Sequence, residues 1–201
     1  MKYLILPIIV LFTSLSCAQK KEPILGETSY QKSQNAKFKD ASESPLTAKD
    51  LKTFKALDFY GFNEDFKVEA ELKPTPNSEY FEMQTSTGRT PLYRVYGVLH
   101  FKIKGKPYQL NVYQNKELLT TEGYEDYLFL PFIDETNGDT TYGGGRYIEL
   151  RIPESNTLTL DFNEAFNPYC AYNPKYSCPV VPLENSLALK VEAGVKAFKK
   201  H

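Results

Sequence analysis

The sequence predicts a mainly β protein, an antiparallel barrel or sandwich of about eight strands with one or two short helices at its N-terminal end. From residue 66 onward apolar residues alternate with polar ones, which is the period of a strand with one buried face. The 15 Tyr and 13 Phe, against 2 Met, favour strands over a helical bundle. Strands do not alternate with helices, and this pattern excludes a parallel α/β sheet.

Two helices are expected before the strands. The segment from Ser29 to Asp40 is rich in Lys and Gln and shows no strong apolar stripe. The second helix begins at Thr47, whose side chain is expected to cap it, with Asp50 three positions later. A short apolar stripe follows and ends before Gly61. Its members are Leu51, Phe54 and Leu57.

The strand patterns are separated by turn residues. Gly97 interrupts the longest one and predicts a bulge or bend. Lys104–Lys106 predicts a hairpin turn. The expected strands cover residues 68–72, 80–85, 93–103, 108–112, 127–133, 147–152, 158–162 and 187–191.

The composition limits the classes of partner. The chain has 201 residues, with 24 Lys and Arg against 25 Asp and Glu and a formal net charge of −1. A nucleic-acid binder needs a clustered basic excess to neutralise phosphates, so no nucleic-acid partner is expected. Residues 27–201 are expected to form a single β-rich domain, because this length supports one core.

The first residues predict export. Lys2 precedes an apolar run over residues 3–12 that is too short for a membrane span. Small residues follow the run, as in a secretory signal peptide, here residues 1–16. Cys17 is similar in its placement to the acylated cysteine of bacterial lipoproteins. The alternative is an ordinary cleaved signal with an incidental cysteine, because Ser14 stands where lipoprotein signals usually carry Leu.

If Cys17 is acylated, residues 17–26 form a polar, lipidated tether. The membrane is then contacted through the lipid anchor only. Ala18 is not the Asp that retains lipoproteins at the inner membrane in well-studied bacteria. The expected location is therefore the cell envelope, as an outer-membrane lipoprotein that faces the periplasm.

Two polar segments, residues 131–147 and 161–185, are too long to be plain connections. Four of the 13 prolines fall between residues 168 and 182, and they impose an irregular path without helix or ladder hydrogen bonds. Long ordered loops on a β scaffold are often functional. A site is therefore expected between loops 134–147 and 161–185.

A long motif runs through both segments. Its residues are Asp134, Thr141–Tyr147, Asp161–Asn163, Asn167–Pro168, Cys170–Pro174, Tyr176–Pro179 and Glu184–Asn185. It resembles the signature of an uncharacterised bacterial family known as domain of unknown function 1684. The resemblance extends to Ser44–Thr47, Ser86–Gly88 and Tyr96–Gly97 and spans most of residues 44–194. The family has no established reaction, so the resemblance implies no particular activity.

Cys170 and Cys178 would close a short ring if they were bonded to each other. In an oxidising periplasm they predict a disulfide. Buried structural thiols, or metal or redox chemistry, are the alternatives. A zinc site needs about four ligands. The only histidines are His100 and His201, so no metal is expected.

Arg146 follows three glycines and opens a strand. Glycines free the backbone for positive φ, and the guanidinium can bind a carboxylate or phosphate through two parallel hydrogen bonds. A small anionic ligand is therefore expected at Arg146. The alternative is a structural ion pair between Arg146 and Asp134 or Asp161.

The other candidate residues belong to the same loops. Asp134, Asp161 and Glu184 could meet at one rim, either as acid and base or as oxygen ligands of a cation. Ordinary turn and cap roles are the alternative. Tyr142 and Asn163 complete the expected ligand-binding set. Several tyrosines could line a stacking pocket or cover the mouth of a barrel, namely Tyr142, Tyr147, Tyr169, Tyr172 and Tyr176.

Two functions are compatible with this pattern. The first is an exported small-molecule binding protein or enzyme, with Arg146 as the anchor of an anion. The second is a structural or interaction module of the cell envelope, in which the loops only close the barrel. No nucleophile–base pair is identifiable, so the sequence does not decide between binding and catalysis and indicates no cofactor.

Overall fold

The structure is a computed structural model that describes residues 25–198. The expected signal peptide, Cys17 and residues 17–24 of the expected tether lie outside the described residues, so export and lipid anchoring stay predictions. Within residues 25–198, no helix is long and apolar enough to cross a membrane.

The first helix, α1, spans Ser29–Lys39, as expected. It begins at Thr28, whose side chain accepts the N–H of Gln31 at 3.2 Å. Two of its three buried residues, Gln31 and Asn35, are polar, and the third is Phe38. Amide hydrogen bonds hold the helix in place, such as the one from the N–H of Leu57 to Asn35 Oδ1 at 2.7 Å. This is why the sequence shows no apolar stripe here.

The second helix, α2, spans Ala48–Leu51. Its start is as predicted, because Thr47 Oγ1 accepts the N–H of Asp50 at 3.1 Å. The helix ends earlier than the stripe predicts. Phe54 and Leu57 continue outside any helix, yet both pack in the small cluster that contains Phe38.

Eight strands form one curled sheet, a half-barrel, and this confirms the predicted fold class. The order across the sheet is β6-β5-β4-β3-β1-β7, with β2 beside β3 and β8 beside β5. The ladders are antiparallel except for the short one between β8 and β5. The strands are β1 Lys67–Pro74, β2 Phe81–Glu82, β3 Leu92–Ile103, β4 Lys106–Asn115, β5 Tyr127–Asp134, β6 Arg146–Arg151, β7 Thr157–Asp161 and β8 Ser186–Leu187. Short 3-10 turns lie at Glu64–Phe66, Leu118–Thr120, Phe162–Glu164, Tyr169–Ala171 and Leu183–Asn185.

The predicted irregularity at Gly97 is a bulge between β3 and β4. The register shifts between Val95 and Gly97, so that Val95 pairs with Tyr113 while Gly97 pairs with Val112. A Cβ atom at Gly97 would lie 2.8 Å from Leu72 Cδ1, so this close approach requires glycine.

Because of the bulge, β3 contributes side chains to two hydrophobic clusters. Tyr93 packs in one hydrophobic cluster and Leu99 in another, although both positions are odd-numbered and would share a face on an unbroken strand. The larger cluster takes residues from six strands, β1 and β3–β7, and contains Leu72, Leu99, Leu110, Leu130, Ile148 and Leu160. The smaller cluster contains Met83, Tyr93, Tyr113, Phe129, Tyr147 and Val181. The second face of the sheet is therefore covered around β3–β6, while on β1 it is exposed.

Two strands are shorter than predicted. β2 keeps only Phe81–Glu82, and β8 ends at Leu187. Beyond Leu187 the chain does not extend the sheet, because the backbone carbonyls of Val191 and Ala193 accept hydrogen bonds from the Arg146 guanidinium instead.

Candidate functional site

Arg146, the expected anion anchor, is completely buried at the start of β6. Its Nη2 lies 2.8 Å from Asp134 Oδ2, and both side chains are fully shielded from solvent. The same Nη2 donates to Val191 O at 2.8 Å, and Nη1 donates to Ala193 O. Asp134 Oδ1 in turn accepts the N–H of Val191 at 3.1 Å. The pair therefore clamps the C-terminal segment against β5 and β6.

The surroundings of Arg146 act on its guanidinium in opposite directions. Burial lowers the pKa of its guanidinium, while the Asp134 carboxylate opposes that shift. The guanidinium carbon lies 5.2 Å from the centre of the Phe132 ring. Its Nε has no hydrogen-bond partner among residues 25–198. In this arrangement Arg146 reaches Asp134, the alternative that the sequence left open, and its side chain is fully shielded from solvent.

The glycines before Arg146 serve this packing. Gly145 has φ +89°, and a Cβ atom there would lie 2.6 Å from Val181 Cγ2 and 2.7 Å from Phe132 O. The backbone at Gly145 thus passes so close to Val181 and to β5 that no side chain fits there.

The other expected ligand residues lie in separate local arrangements. Asp161 Oδ1 accepts the N–H and the side-chain amide of Asn163 at 2.9 and 2.8 Å, which is ordinary cap chemistry. Glu184 is exposed and accepts from Tyr113 Oη at 3.4 Å. Tyr142 lies beside Cys170. Among residues 25–198, no hydrogen bond or ion pair joins these groups to the Arg146–Asp134 pair.

Cys170 and Cys178 lie next to each other with their sulfurs unbonded. Cys178 Sγ accepts the backbone N–H of Cys170 at 3.1 Å. The proximity is compatible with the disulfide, the thiol and the redox alternatives, and the disulfide stays a prediction. Among residues 25–198, no group of three or more His, Cys, Asp or Glu side chains is placed to hold a metal ion.

A cavity of about 190 Å³ lies between α1, β6 and the chain that follows β7. Its walls combine apolar and polar side chains in equal number, and Asn167 is among the polar ones. Apolar lining comes from Phe38, Leu57, Phe59, Ile148, Phe166, Tyr172 and Val195, and polar lining from Tyr30, Gln34, Lys37, Glu149, Glu164, Asn167 and Tyr169. We call this space the α1 cavity.

Asn167 has an unsatisfied acceptor. The side chain is 1% exposed, and its Nδ2 donates to Lys196 O at 2.9 Å and to Tyr172 Oη at 3.3 Å. Because Lys196 O can only accept, the amide cannot be turned around. Its Oδ1 has no partner among residues 25–198. A buried carbonyl without a donor is costly, so the site is suited to a ligand that donates a hydrogen bond.

The charged residues of the α1 cavity are mostly acidic. Glu149 and Glu164 line it together with one cation, Lys37, whose ammonium lies 5.4 Å from the centre of the Tyr169 ring. Burial and repulsion from Asp161 raise the pKa of Glu164. Burial, with the two glutamates, raises the pKa of Tyr30, so its hydroxyl stays protonated and can donate.

A second cavity, of about 260 Å³, adjoins the first. It shares Glu149, Phe166 and Tyr169 with the α1 cavity and includes Cys178 in its lining. The two spaces therefore border each other along these three residues, with Asn167 in the first and Cys178 in the second.

The sequence indicated part of this site. Glu164, Asn167, Tyr169 and Tyr172 all belong to the 161–185 segment, and the last two were among the tyrosines expected to line a pocket. Tyr30, Lys37 and Glu149 were missed. The two on α1 belong to a helix with a weak pattern, and Glu149 is one more polar residue on an alternating strand.

The fold and site define a small curled β domain with a cavity under its N-terminal helix. The family model described as protein of unknown function (DUF1684) matches residues 52–196, and the chain belongs to this family, as the motif predicted. A solution NMR structure of an uncharacterized protein from gene locus rrnAC0354 of Haloarcula marismortui is similar. It shares 31% identity, with 85% of this chain and 92% of that chain covered and a TM-score of 0.66. No curated protein sequence matches.

Proposed function

We propose that this protein binds a small molecule in the α1 cavity. The ligand has an apolar face and several N–H or O–H donors, as a monosaccharide, a polyol or an aromatic amine has. The observation that carries the proposal is the unpaired Oδ1 of Asn167, a buried acceptor that a ligand donor would satisfy.

The size and walls of the cavity support a ligand of this kind. Its volume of about 190 Å³ is below the range of about 300–1,000 Å³ that is usual for drug-sized ligands, so only a small molecule fits. Aromatic rings such as Phe59, Phe166 and Tyr172 favour a flat or ring-shaped apolar face.

The charges favour a neutral or cationic ligand over the anion expected at Arg146. Glu149 and Glu164 outnumber Lys37, and an anion would be repelled by both carboxylates. Arg146 itself is absent from the lining of the cavity. The site therefore uses the 161–185 segment together with α1 and β6, rather than the 134–147 loop.

We further propose that the site faces the periplasm, on a protein held at the outer membrane by an acylated Cys17. The support is the order of Lys2, the apolar run over residues 3–12 and the cysteine after Ser16. An exported binding domain of this kind needs no lipid contact of its own.

The second candidate, a structural or interaction module, has one observation in its favour. Part of the 134–147 loop is closed by its own hydrogen bonds: Asn137 Nδ2 donates to Tyr142 O at 2.9 Å and to Thr141 Oγ1 at 2.9 Å. Such bonds favour a loop that only closes the fold, whereas Asn167 leaves an acceptor open elsewhere.

A thermal-shift screen tests the binding proposal. The probes are monosaccharides and polyols, aromatic amines, and small carboxylates and phosphates. The variants are wild type, Gln34→Trp, which fills the mouth of the cavity, and Ala36→Trp, which places the same side chain on the exposed face of α1.

A probe from the first two groups should raise the melting temperature of wild type and Ala36→Trp by about 5–10 °C at about 100 times its Kd. Gln34→Trp should lose most of that shift. The proposal fails if no such probe shifts the wild-type melt, if Gln34→Trp responds equally, or if only carboxylates and phosphates bind.

A further inference from the structure

The two cysteines differ in accessibility. Cys178 is buried, at 8% exposure, while Cys170 is half-buried and open to solvent. Cys178 is also fixed by the neighbouring chain, because its N–H donates to Ser86 Oγ at 3.1 Å and its carbonyl accepts from Ser86 N at 2.9 Å. Cys170 is therefore the more accessible residue of the pair, and Cys178 is the more tightly held one.

The surroundings of Cys170 stabilise its thiolate. Hydrogen bonding from the Cys178 thiol, helped by Ser86 and Tyr142, lowers the pKa of Cys170 to about 6, although partial burial opposes the shift. The same interaction and burial raise the pKa of Cys178. Burial also raises the pKa of Tyr142 and of Tyr147, so these neighbours stay neutral near pH 7.

From this geometry we propose that Cys170 and Cys178 form a reactive dithiol that exchanges with disulfides, in which Cys170 attacks and Cys178 resolves. The inference does not depend on ligand binding in the α1 cavity. It concerns a second activity, located at the cysteine pair beside the adjoining cavity, which Asn167 does not line.

The exchange balances in two steps. The Cys170 thiolate attacks one sulfur of a partner disulfide, forms a mixed disulfide and expels the other partner sulfur as a thiolate. Cys178 then gives its proton to solvent and attacks Cys170 Sγ, which releases the second partner thiolate. The chain loses two electrons and gains an intramolecular disulfide, and the partner disulfide is reduced to two thiols.

The adjoining cavity indicates the kind of disulfide that fits. Cys178, the neighbour of Cys170, lines this cavity together with Tyr147, Phe166, Tyr176 and Pro179, so apolar groups of a partner that reacts at Cys170 can pack beside the pair. Tyr176 is fixed against Tyr169, with ring centres 5.2 Å apart, which gives the cavity a firm aromatic wall.

The test uses hydroxyethyl disulfide as the probe and mass spectrometry of the full chain. Trypsin cleaves after Lys175 and so separates the peptides of Cys170 and Cys178 from each other and from Cys17. Cys178→Ser should trap a mixed disulfide at Cys170. Cys170→Ser should react at least tenfold more slowly, and wild type should end with Cys170 joined to Cys178.

The pH dependence separates an activated thiolate from an ordinary thiol. Between pH 8 and pH 6 the rate of Cys170 in Cys178→Ser should fall a few-fold only, because the serine hydroxyl replaces the thiol as donor and the Ser86 and Tyr142 contacts remain. An ordinary thiol of pKa about 8.5 would slow by about 75-fold. The urea-unfolded chain gives that reference curve.

Three results would overturn the inference. They are equal rates for Cys170→Ser and Cys178→Ser, a pH curve that matches the unfolded chain, and a wild-type chain that stops at the mixed disulfide. A cysteine pair that serves only as a structural bridge would give one of these outcomes. Its two sulfurs would react at similar rates, or Cys170 would show the pH dependence of an ordinary thiol.

Discussion

Arg146 and Asp134 form an ion pair that is completely removed from solvent, with Nη2 and Oδ2 2.8 Å apart. Both partners also bind the backbone of Val191. Arg146 donates to the Val191 carbonyl, and Asp134 accepts the Val191 N–H. A residue at the start of β6 and one at the end of β5 thereby fix the path of the C-terminal segment.

Truncation of this arginine should be strongly destabilising. Arg146→Ala leaves Asp134 buried without its partner and should lower the free energy of unfolding by about 3–5 kcal/mol. Arg146→Lys keeps the charge but loses the fork that reaches Asp134, Val191 and Ala193 together, so it should also destabilise the fold. Urea unfolding measures both effects.

The control is Arg151→Lys, because Arg151 pairs with Asp126 at 2.6 Å with both side chains about half exposed. Because solvent screens this exposed pair, Arg151→Lys should change stability far less than either Arg146 variant. If both Arg146 variants were as stable as wild type, the clamp would have no structural role and a ligand role for Arg146 would regain support.

Gly145→Ala should destabilise the fold more than Gly143→Ala. A Cβ atom at Gly145 would lie 2.7 Å from Phe132 O at a φ of +89°, whereas at Gly143 the nearest atom would be 3.8 Å away. We expect a cost of about 1–3 kcal/mol at Gly145 in thermal or urea unfolding. Equal losses in the two variants would show that the close approach is relaxed in solution.

Glu164→Gln should increase stability at neutral pH. Glu164 is exposed at the surface, but partial desolvation and repulsion from Asp161 raise its pKa, so the folded state holds its proton more tightly than the unfolded state does. The ionised carboxylate is therefore unfavourable above that pKa, and the penalty vanishes as the pH falls below the pKa of the unfolded chain.

The measurement compares urea unfolding of wild type and Glu164→Gln at pH 7 and pH 3.5. The difference between the two proteins should be present at pH 7 and absent at pH 3.5. Glu154→Gln, at an exposed position after β6, serves as the control and should show no such change. A constant difference at both pH values would exclude the burial effect.

Cys17→Ala should abolish acylation. If Cys17 is the acceptor, metabolic acyl labelling should be lost and the protein should no longer be recovered with membranes. Unchanged labelling in the variant would refute the lipoprotein prediction. If the protein is exported but neither wild type nor Cys17→Ala is acylated, an ordinary cleaved signal is favoured.

Cys170 and Cys178 should be found joined when the mature protein is isolated from the envelope without reductant. The nine-residue ring would contribute about 2.5 kcal/mol through loop entropy. Mass spectrometry before and after reduction measures the bond. Two thiols that alkylate readily without reductant would contradict this expectation. The proposed exchange with disulfides would still be decided by the reaction rates with hydroxyethyl disulfide.

The sequence alone determined the features that arise from local chemistry. Alternating residues predicted the β class, Thr47 predicted a helix start, and Gly97 predicted the bulge, because each depends on backbone preferences within a few residues. The long motif between residues 134 and 185 was sufficient to indicate the family.

Tertiary structure alone decided which side chains meet. Asp134 and Asp161 were equivalent partners for Arg146 in the sequence, and only the pairing of β5 with β6 places Asp134 beside it. The α1 cavity combines Lys37 with Asn167, residues that are far apart in the chain. Burial and hydrogen-bond satisfaction depend on such long-range packing, so the orphaned acceptor of Asn167 has no local signal in the sequence.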